Sequence, residues 1–198
     1  RDIHSLTASQ VFGVPLDKVT SQMRRNAKAV NFGIIYGISD FGLAKNIKTS
    51  PKEAREYIKK YFETYPRVKE YMDGNVEFAK NNGYVLTFCN RKRVMNDINS
   101  HIFAKRSFSE RASMNMPLQG SSADIIKIAM VNVSKRLYSE CKNSFLILQV
   151  HDELIIDADE AELEIATKIL KEEMENAVKL EVPLTVDVGT GKSWYDVK

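Results

Sequence analysis

The chain has 198 residues, 43% hydrophobic and 28% charged, with a formal net charge of +3. This composition excludes a disordered chain and allows one good core or two small ones; no apolar run approaches the ~20 residues of a bilayer span and "RDIHSL" has no apolar signal stretch, so a cytoplasmic protein without a membrane partner is predicted. The charge is uneven: up to Arg111 there are 20 Lys and Arg against 11 Asp and Glu, and beyond it 9 against 15, a pattern of either a polyanion-binding half or an ordinary solvated surface.

The opening "RDIH" has no Met and leads into a helical pattern, so a piece of a longer protein is predicted. Residues 5 to 19 read as helix broken near "GVP", and Ser21 can cap a second helix running toward Gly37. In "TSPKE", Ser50 is an N-cap, Pro51 sits at the first helical position and Glu53 completes a capping box. Tyr57, Ile58, Tyr61 and Phe62 follow at helical spacing, and Pro66 ends that helix. The next helix, through Val76 and Phe78, stops at Gly83.

"GYVLTFCNRKRVM" alternates β-formers into a hairpin with Arg91, Lys92 and Arg93 expected at its tip. A helix with Arg111 and Asn115 meets Pro117 and Gly120, and a second helical run resumes after "SSAD", where Ser121 or Ser122 can cap it; kinked or broken, the pair forms one unit. "FLILQVHDELIID" predicts strand, polar turn, strand; Leu163, Ala166, Ile169, Leu170, Met174 and Ala177 share one stripe of a packing helix; "VPLTVDVG" closes as a strand. Helices first and strands later make an α+β architecture with an antiparallel sheet in the second half. Cys89 and Cys141 belong to no CxxC pair and read as reduced thiols.

"RRNAKAVNFGIIYG" has two opposed faces when wound as a helix. Arg24, Arg25, Lys28, Phe32 and Tyr36 fall within about 120° of arc, while Met23, Ala27, Val30 and Ile34 cluster on the other side. Either the rings fill a second core contact and the cations reach past them to water, or the cations bind phosphates and the rings pack on a sugar and base. Arg24 to Phe32 spans about 12 Å at ~1.5 Å per residue, the length of a phosphate chain with its base.

Asp152 and Glu153 fall where two apolar strands meet. They are either simple turn residues or one half of a Mg²⁺ site, since Mg²⁺ takes one or two carboxylates together with substrate phosphates. A two-metal site needs a further acidic residue, and neither Asp124 nor Asp157 is placed to supply it.

"RRNAKAVNFGIIYG" and "LQVHDEL" closely resemble two signature motifs of the family A DNA polymerases, and "DIHSLTA", "RASMNMPLQGSSAD" and "VPLTVDVGTGKSW" resemble further stretches in the same order. The resemblance covers essentially the whole chain. It implies part of a right-hand polymerase: a mostly helical fingers portion over residues 1–104, followed over 105–198 by the C-terminal part of an antiparallel-sheet palm. Residue by residue, it implies that His4, Arg24 and Lys28 bind the triphosphate of a dNTP and that Phe32 and Tyr36 lie beside its sugar and base. Arg25, Arg111, Asn115, Gln119 and His151 match residues facing primer-template DNA. Asp152 matches a catalytic metal ligand and Glu153 its acidic neighbour.

The implied reaction is attack of a primer 3′ hydroxyl on the α-phosphorus of a dNTP, with two Mg²⁺ ions in the complete enzyme and Lys28 and Arg24 neutralising the leaving pyrophosphate. Phe32, where some relatives carry Tyr, implies poorer acceptance of dideoxynucleotides. The pattern departs from the family in two places. A strand like "DYSQIELR", which would supply the other metal-binding aspartate, is absent, as is the thumb; and "CNRKRVMNDI" lacks the usual Gly and aromatic-x-Pro. The isolated chain is therefore expected to be inactive, with exposed sheet edges that favour association. Rival classes are a nucleic-acid-binding module without chemistry, a metal phosphohydrolase using His151 and Asp152 with His4 or His101, and a single-subunit RNA polymerase.

Overall fold

Side-chain caps set most helix starts in the first part of the chain, as the computed structural model, which describes residues 2–197, shows. Asp2 caps α1 (Ile3–Phe12) and Gly13, at φ 67°, ends it; a 3₁₀ turn, Leu16–Lys18, follows. Helix α2 (Ser21–Ile35) is capped by Thr20, whose hydroxyl accepts from Met23 N at 3.2 Å, so Ser21 is the first helical residue and not the cap. The capping box of Ser50 and Glu53 opens α4 (Pro51–Thr64) as predicted, and α5 (Pro66–Asn82) ends at Gly83 with φ 77°.

Between α2 and α4 lies a helix absent from the sequence reading, α3 (Asp40–Ile47). Ser39 caps it through Gly42 N at 3.1 Å, and Asp40 in its first turn pairs with Arg55 at 2.8 Å. The signal was present: a Ser-Asp start followed by Leu43, Ala44 and Ile47 at helical spacing.

Packing divides the chain into two compact units, with the division after Gln119. It lies within α6 (Phe103–Glu140), a continuous helix with Pro117 inside it. Of the kink or break expected here, no break occurs, and neither Ser121 nor Ser122 is a cap. Proline removes one intrahelical bond, and the helix continues through that position.

The first unit has two cores. Val30, Ile34, Leu43, Ala44, Ala54, Tyr61 and Met72 form one; Ala79, Val85, Met95, Ile98 and Met116 form the other. Over the second core lies an antiparallel hairpin, β1 (Tyr84–Leu86) with β2 (Lys92–Val94), in the register Tyr84↔Val94. Its turn is tighter than predicted. Thr87 O accepts from Asn90 N at 2.9 Å, Thr87 Oγ1 accepts from Arg91 N at 3.0 Å, and Asn90 takes φ 60°. Phe88 to Asn90 therefore make the tip, and Lys92 and Arg93 lie in β2, with Lys92 Nζ 3.7 Å from the Tyr84 ring centroid.

In the second unit β3 (Phe145–Val150) pairs antiparallel with β4 (Glu153–Asp157), with a register irregularity between Leu146 and Leu148. A 3₁₀ turn, Glu160–Glu162, leads into α7 (Leu163–Glu175). Ala129, Val133, Leu137, Leu154, Ala166 and Ile169 form its core, with Leu170, Met174 and Ala177 packed against it; of the predicted stripe, Leu163 at the start of α7 is instead 41% exposed and Ala177 lies past the helix end. Arg136 ties α6 and α7 at their rim, reaching Glu140 at 2.7 Å, Glu172 at 2.8 Å and Glu173 at 3.0 Å. "VPLTVDVG" is not a strand: it has no ladder partner among the described residues, and Val186 N donates instead to the Glu175 carboxylate at 3.0 Å. Two small antiparallel sheets among helices keep the α+β class.

The α6–β3 loop is organised by one carboxylate. Glu162 accepts from Lys142 N at 2.6 Å, Ser144 Oγ at 2.7 Å and Asn143 N at 3.1 Å. Those bonds, the backbone donor Lys142 foremost, hold its carboxyl below the usual range. A carboxyl whose folded pKa is lowered contributes stability that is complete above its unfolded pKa and is lost as pH falls through the folded value. Glu162→Ala is therefore expected to be destabilised at neutral pH and to converge on the parent chain under strongly acidic conditions, as read by urea unfolding at several pH values.

Candidate active site

The face of α2 that the sequence marked as cationic and aromatic is the solvent face. Ala27, Val30 and Ile34 are buried, whereas Phe32 is 49% and Tyr36 50% exposed. The rings thus do not complete a second core. Burial of the aliphatic stripe leaves the opposite arc in water, and the four-residue spacing stacks Lys28, Phe32 and Tyr36 along it.

Three expected nucleotide residues meet at Phe32. Lys28 Nζ lies 5.8 Å from its ring centroid, and the His4 ring, on α1, lies 5.8 Å away, tilted by 42°. His4 is oriented by Asn31, whose Nδ2 is 3.0 Å from His4 Nδ1. Asn31 is 7% exposed, and its Oδ1 is buried without a hydrogen-bond partner. Its role was not legible in the sequence, because it depends on the contact of α1 with α2.

Arg24 is held elsewhere. Asp2 accepts from its Nε at 2.7 Å and its Nη2 at 3.2 Å. The Arg24 guanidinium, followed by Ser5, keeps the Asp2 carboxyl well below the usual carboxylate range. Asp2 belongs to the "DIHSLTA" stretch, and its Asp-Ile-His-Ser pattern signals a helix cap; its partnership with a residue 22 positions on was not readable. Arg25, also exposed, donates to Gln22 Oε1 at 2.7 Å.

The end of α2 sets the position of Tyr36. Gly37 N donates to Ile34 O and Ile38 N to Gly33 O, both at 2.8 Å, the double closure of a Schellman motif with Gly37 at φ 65°. A Cβ on Gly33 would come within 2.8 Å of Ile38, and one on Gly37 within 2.8 Å of Arg111 Cγ. Both glycines are needed for close approach. Tyr36 is consequently the cap residue and not part of a helix reaching Gly37, and Gln119 Nε2 donates to its hydroxyl at 2.9 Å.

Phe32, Tyr36, Gly37, Ile38, Ser107, Arg111 and Met114 line part of a cleft of about 710 Å³. Arg111 donates to Ser107 Oγ at 2.6 Å and is exposed, as is Gln119. Asn115, on the same helix, is 8% exposed, next to the buried Met116.

In the second unit the turn joining β3 and β4 is only His151 and Asp152, between the paired Val150 and Glu153. His151 has φ 53°, the left-handed conformation that a tight hairpin turn requires at its first central position, and its carbonyl accepts from Gln149 Nε2. Asp152 and Glu153 are exposed, and Trp194 Nε1 donates to Glu153 Oε2 at 3.3 Å. No group of three or more His, Cys, Asp or Glu able to hold a metal occurs among the described residues.

The two units together match part of a solved polymerase domain. The solved POL domain of Pol1 from M. smegmatis, in complex with DNA primer-template and dNTP, matches with a TM-score of 0.94 at 41% identity, over 100% of this chain and 35% of that one. The model of DNA polymerase family A matches residues 1–196, and the chain belongs to that family. It is 57% identical over 197 residues to DNA polymerase I of Caldicellulosiruptor bescii and 51% identical over 197 residues to that of Bacillus subtilis strain 168. It spans 23% and 22% of the length of those two relatives.

The Schellman closure predicts a cost for a side chain at its left-handed residue. Gly37→Ala combines a strained φ with a clash against Arg111, and is expected to lose about 1–3 kcal/mol of stability in urea unfolding.

Proposed function

We propose that the protein to which this chain belongs is a DNA-directed DNA polymerase that transfers dNMP from a dNTP to a primer 3′ hydroxyl and releases pyrophosphate, serving DNA replication and repair in the cytoplasm. The observation that carries the reading is the row Arg24, Lys28, Phe32 and Tyr36 on the exposed side of one helix in a member of family A. Lys28 and Arg24 bind the triphosphate and offset charge developing on the leaving group, with His4 beside the same phosphates. Phe32 and Tyr36 receive the sugar and base, where ring stacking contributes about 1–3 kcal/mol. Arg25, Arg111, Asn115, Gln119 and His151 face primer-template DNA. Among the described residues no helix is long and apolar enough to cross a membrane.

The chemistry of the acidic turn fits a divalent cation such as Mg²⁺, which binds through one or two carboxylates and substrate phosphates. Asp152 would be a ligand and Glu153 its neighbour, with a further carboxylate expected from a strand like "DYSQIELR" in the complete enzyme. When bound, a pair of such ions lowers the cost of deprotonating the attacking hydroxyl and of charging the leaving oxygen.

In the complete enzyme, Lys28→Ala is expected to lower kcat/KM for dNTP by roughly 10- to 150-fold, the equivalent of a charge-assisted contact of ~1.5–3 kcal/mol, with little change in DNA affinity. Arg111→Ala should show the reverse, weaker DNA binding at fixed salt with smaller change in dNTP use. Equal losses in both assays for Lys28→Ala would assign it to DNA instead. The isolated 198 residues are expected to give no template-directed extension and to sediment as associated species through the open edges of the two-stranded β3–β4 sheet; extension above background would overturn this.

A further inference from the structure

The carboxylate of Asp2 joins two elements at one point. Oδ1 accepts from His4 N at 3.4 Å and Arg24 Nη2 at 3.2 Å, and Oδ2 accepts from Ser5 N at 3.1 Å, Ser5 Oγ, and Arg24 Nε at 2.7 Å. It is therefore anchored to the backbone at the start of α1 whether or not Arg24 is present. A guanidinium is a planar fork whose two edges can be used independently. Asp2 takes the Nε/Nη2 edge and leaves the Nη1/Nη2 edge for another anion. An unrestrained Arg side chain carries much rotamer freedom, and fixing it beforehand removes that cost from binding.

We propose that Asp2 is a positioning residue for nucleotide binding: it grips Arg24 by one edge so that the other is presented to the triphosphate, in register with His4 on the same helix as its cap. The inference rests on the reading of the α2 row as the nucleotide seat. It differs from a role in which the carboxylate competes with phosphate, since a competitor would occupy the edge that phosphate uses and its removal would tighten nucleotide binding. It also differs from capping alone, which would not involve Arg24. The depressed carboxyl of Asp2 keeps the pair ionised at any pH at which the enzyme would be assayed.

Asparagine caps helices as well as aspartate does, so Asp2→Asn separates the ion pair from the cap. In the complete polymerase, Asp2→Asn is expected to raise KM for dNTP about two- to fivefold, the range set by an exposed ion pair, with kcat, DNA affinity and Tm close to the parent's. In an Arg24→Ala background the same substitution is expected to add nothing, because Asp2 acts only through Arg24. Unchanged or lowered KM for Asp2→Asn, in an enzyme where Arg24→Ala raises KM, would overturn the inference and leave the nucleotide seat standing. Full additivity of the two substitutions would do the same. No effect of Arg24→Ala on KM would overturn both.

Discussion

The division of α2 into a dry face and a wet one is the constraint on which the candidate site depends. Val30 and Ile34 are packed with Leu43, Ala54 and Tyr61, which fixes the rotation of the helix about its axis. With that rotation set, Arg24, Lys28, Phe32 and Tyr36 cannot reach the core. Two large rings remain about half exposed on this face. Cations on the same face keep the rings accessible and soluble, and Lys28 lies close enough to Phe32 to interact with its π face.

The neighbours of α2 then specify what its exposed face can do. Helix α1 brings His4 against Phe32 and Asp2 against Arg24, so two residues close in sequence hold two residues a couple of turns apart on α2. At the other end, Gly33 and Gly37 let the chain reverse tightly enough for Ile38 to enter the core and for Arg111 to lie against the turn. Tyr36 is left at the rim of the cleft with its hydroxyl engaged by Gln119. Residues expected to face nucleotide and residues expected to face DNA thereby share a hydrogen bond within the first unit.

The second unit uses a different device to place its acidic residues. A two-residue turn between paired strands allows little freedom, and His151 adopts a left-handed backbone to close it. Leu154, directly after Glu153, is buried among Ala129, Val133 and Ile169, so the strand is anchored next to the turn while Asp152 and Glu153 themselves are in water. Trp194, far along the chain, reaches back to Glu153. The Asp152 carboxylate is thus carried on a short, supported projection, the kind of mounting that a metal ligand requires.

Periodicity and caps determined much of this protein without any coordinates. The Ser50 box, the Gly83 stop, both hairpins and the opposed faces of α2 are local features, because helical and strand repeats and capping bonds involve residues only a few positions apart. Tertiary structure decided the rest. It kept α6 whole through Pro117, denied "VPLTVDVG" a partner strand, and joined Asp2 to Arg24 and Asn31 to His4. Each of these depends on which surfaces meet across more than 20 residues of chain or on whether a backbone edge finds a partner, and neither is written in the spacing of side chains along one segment.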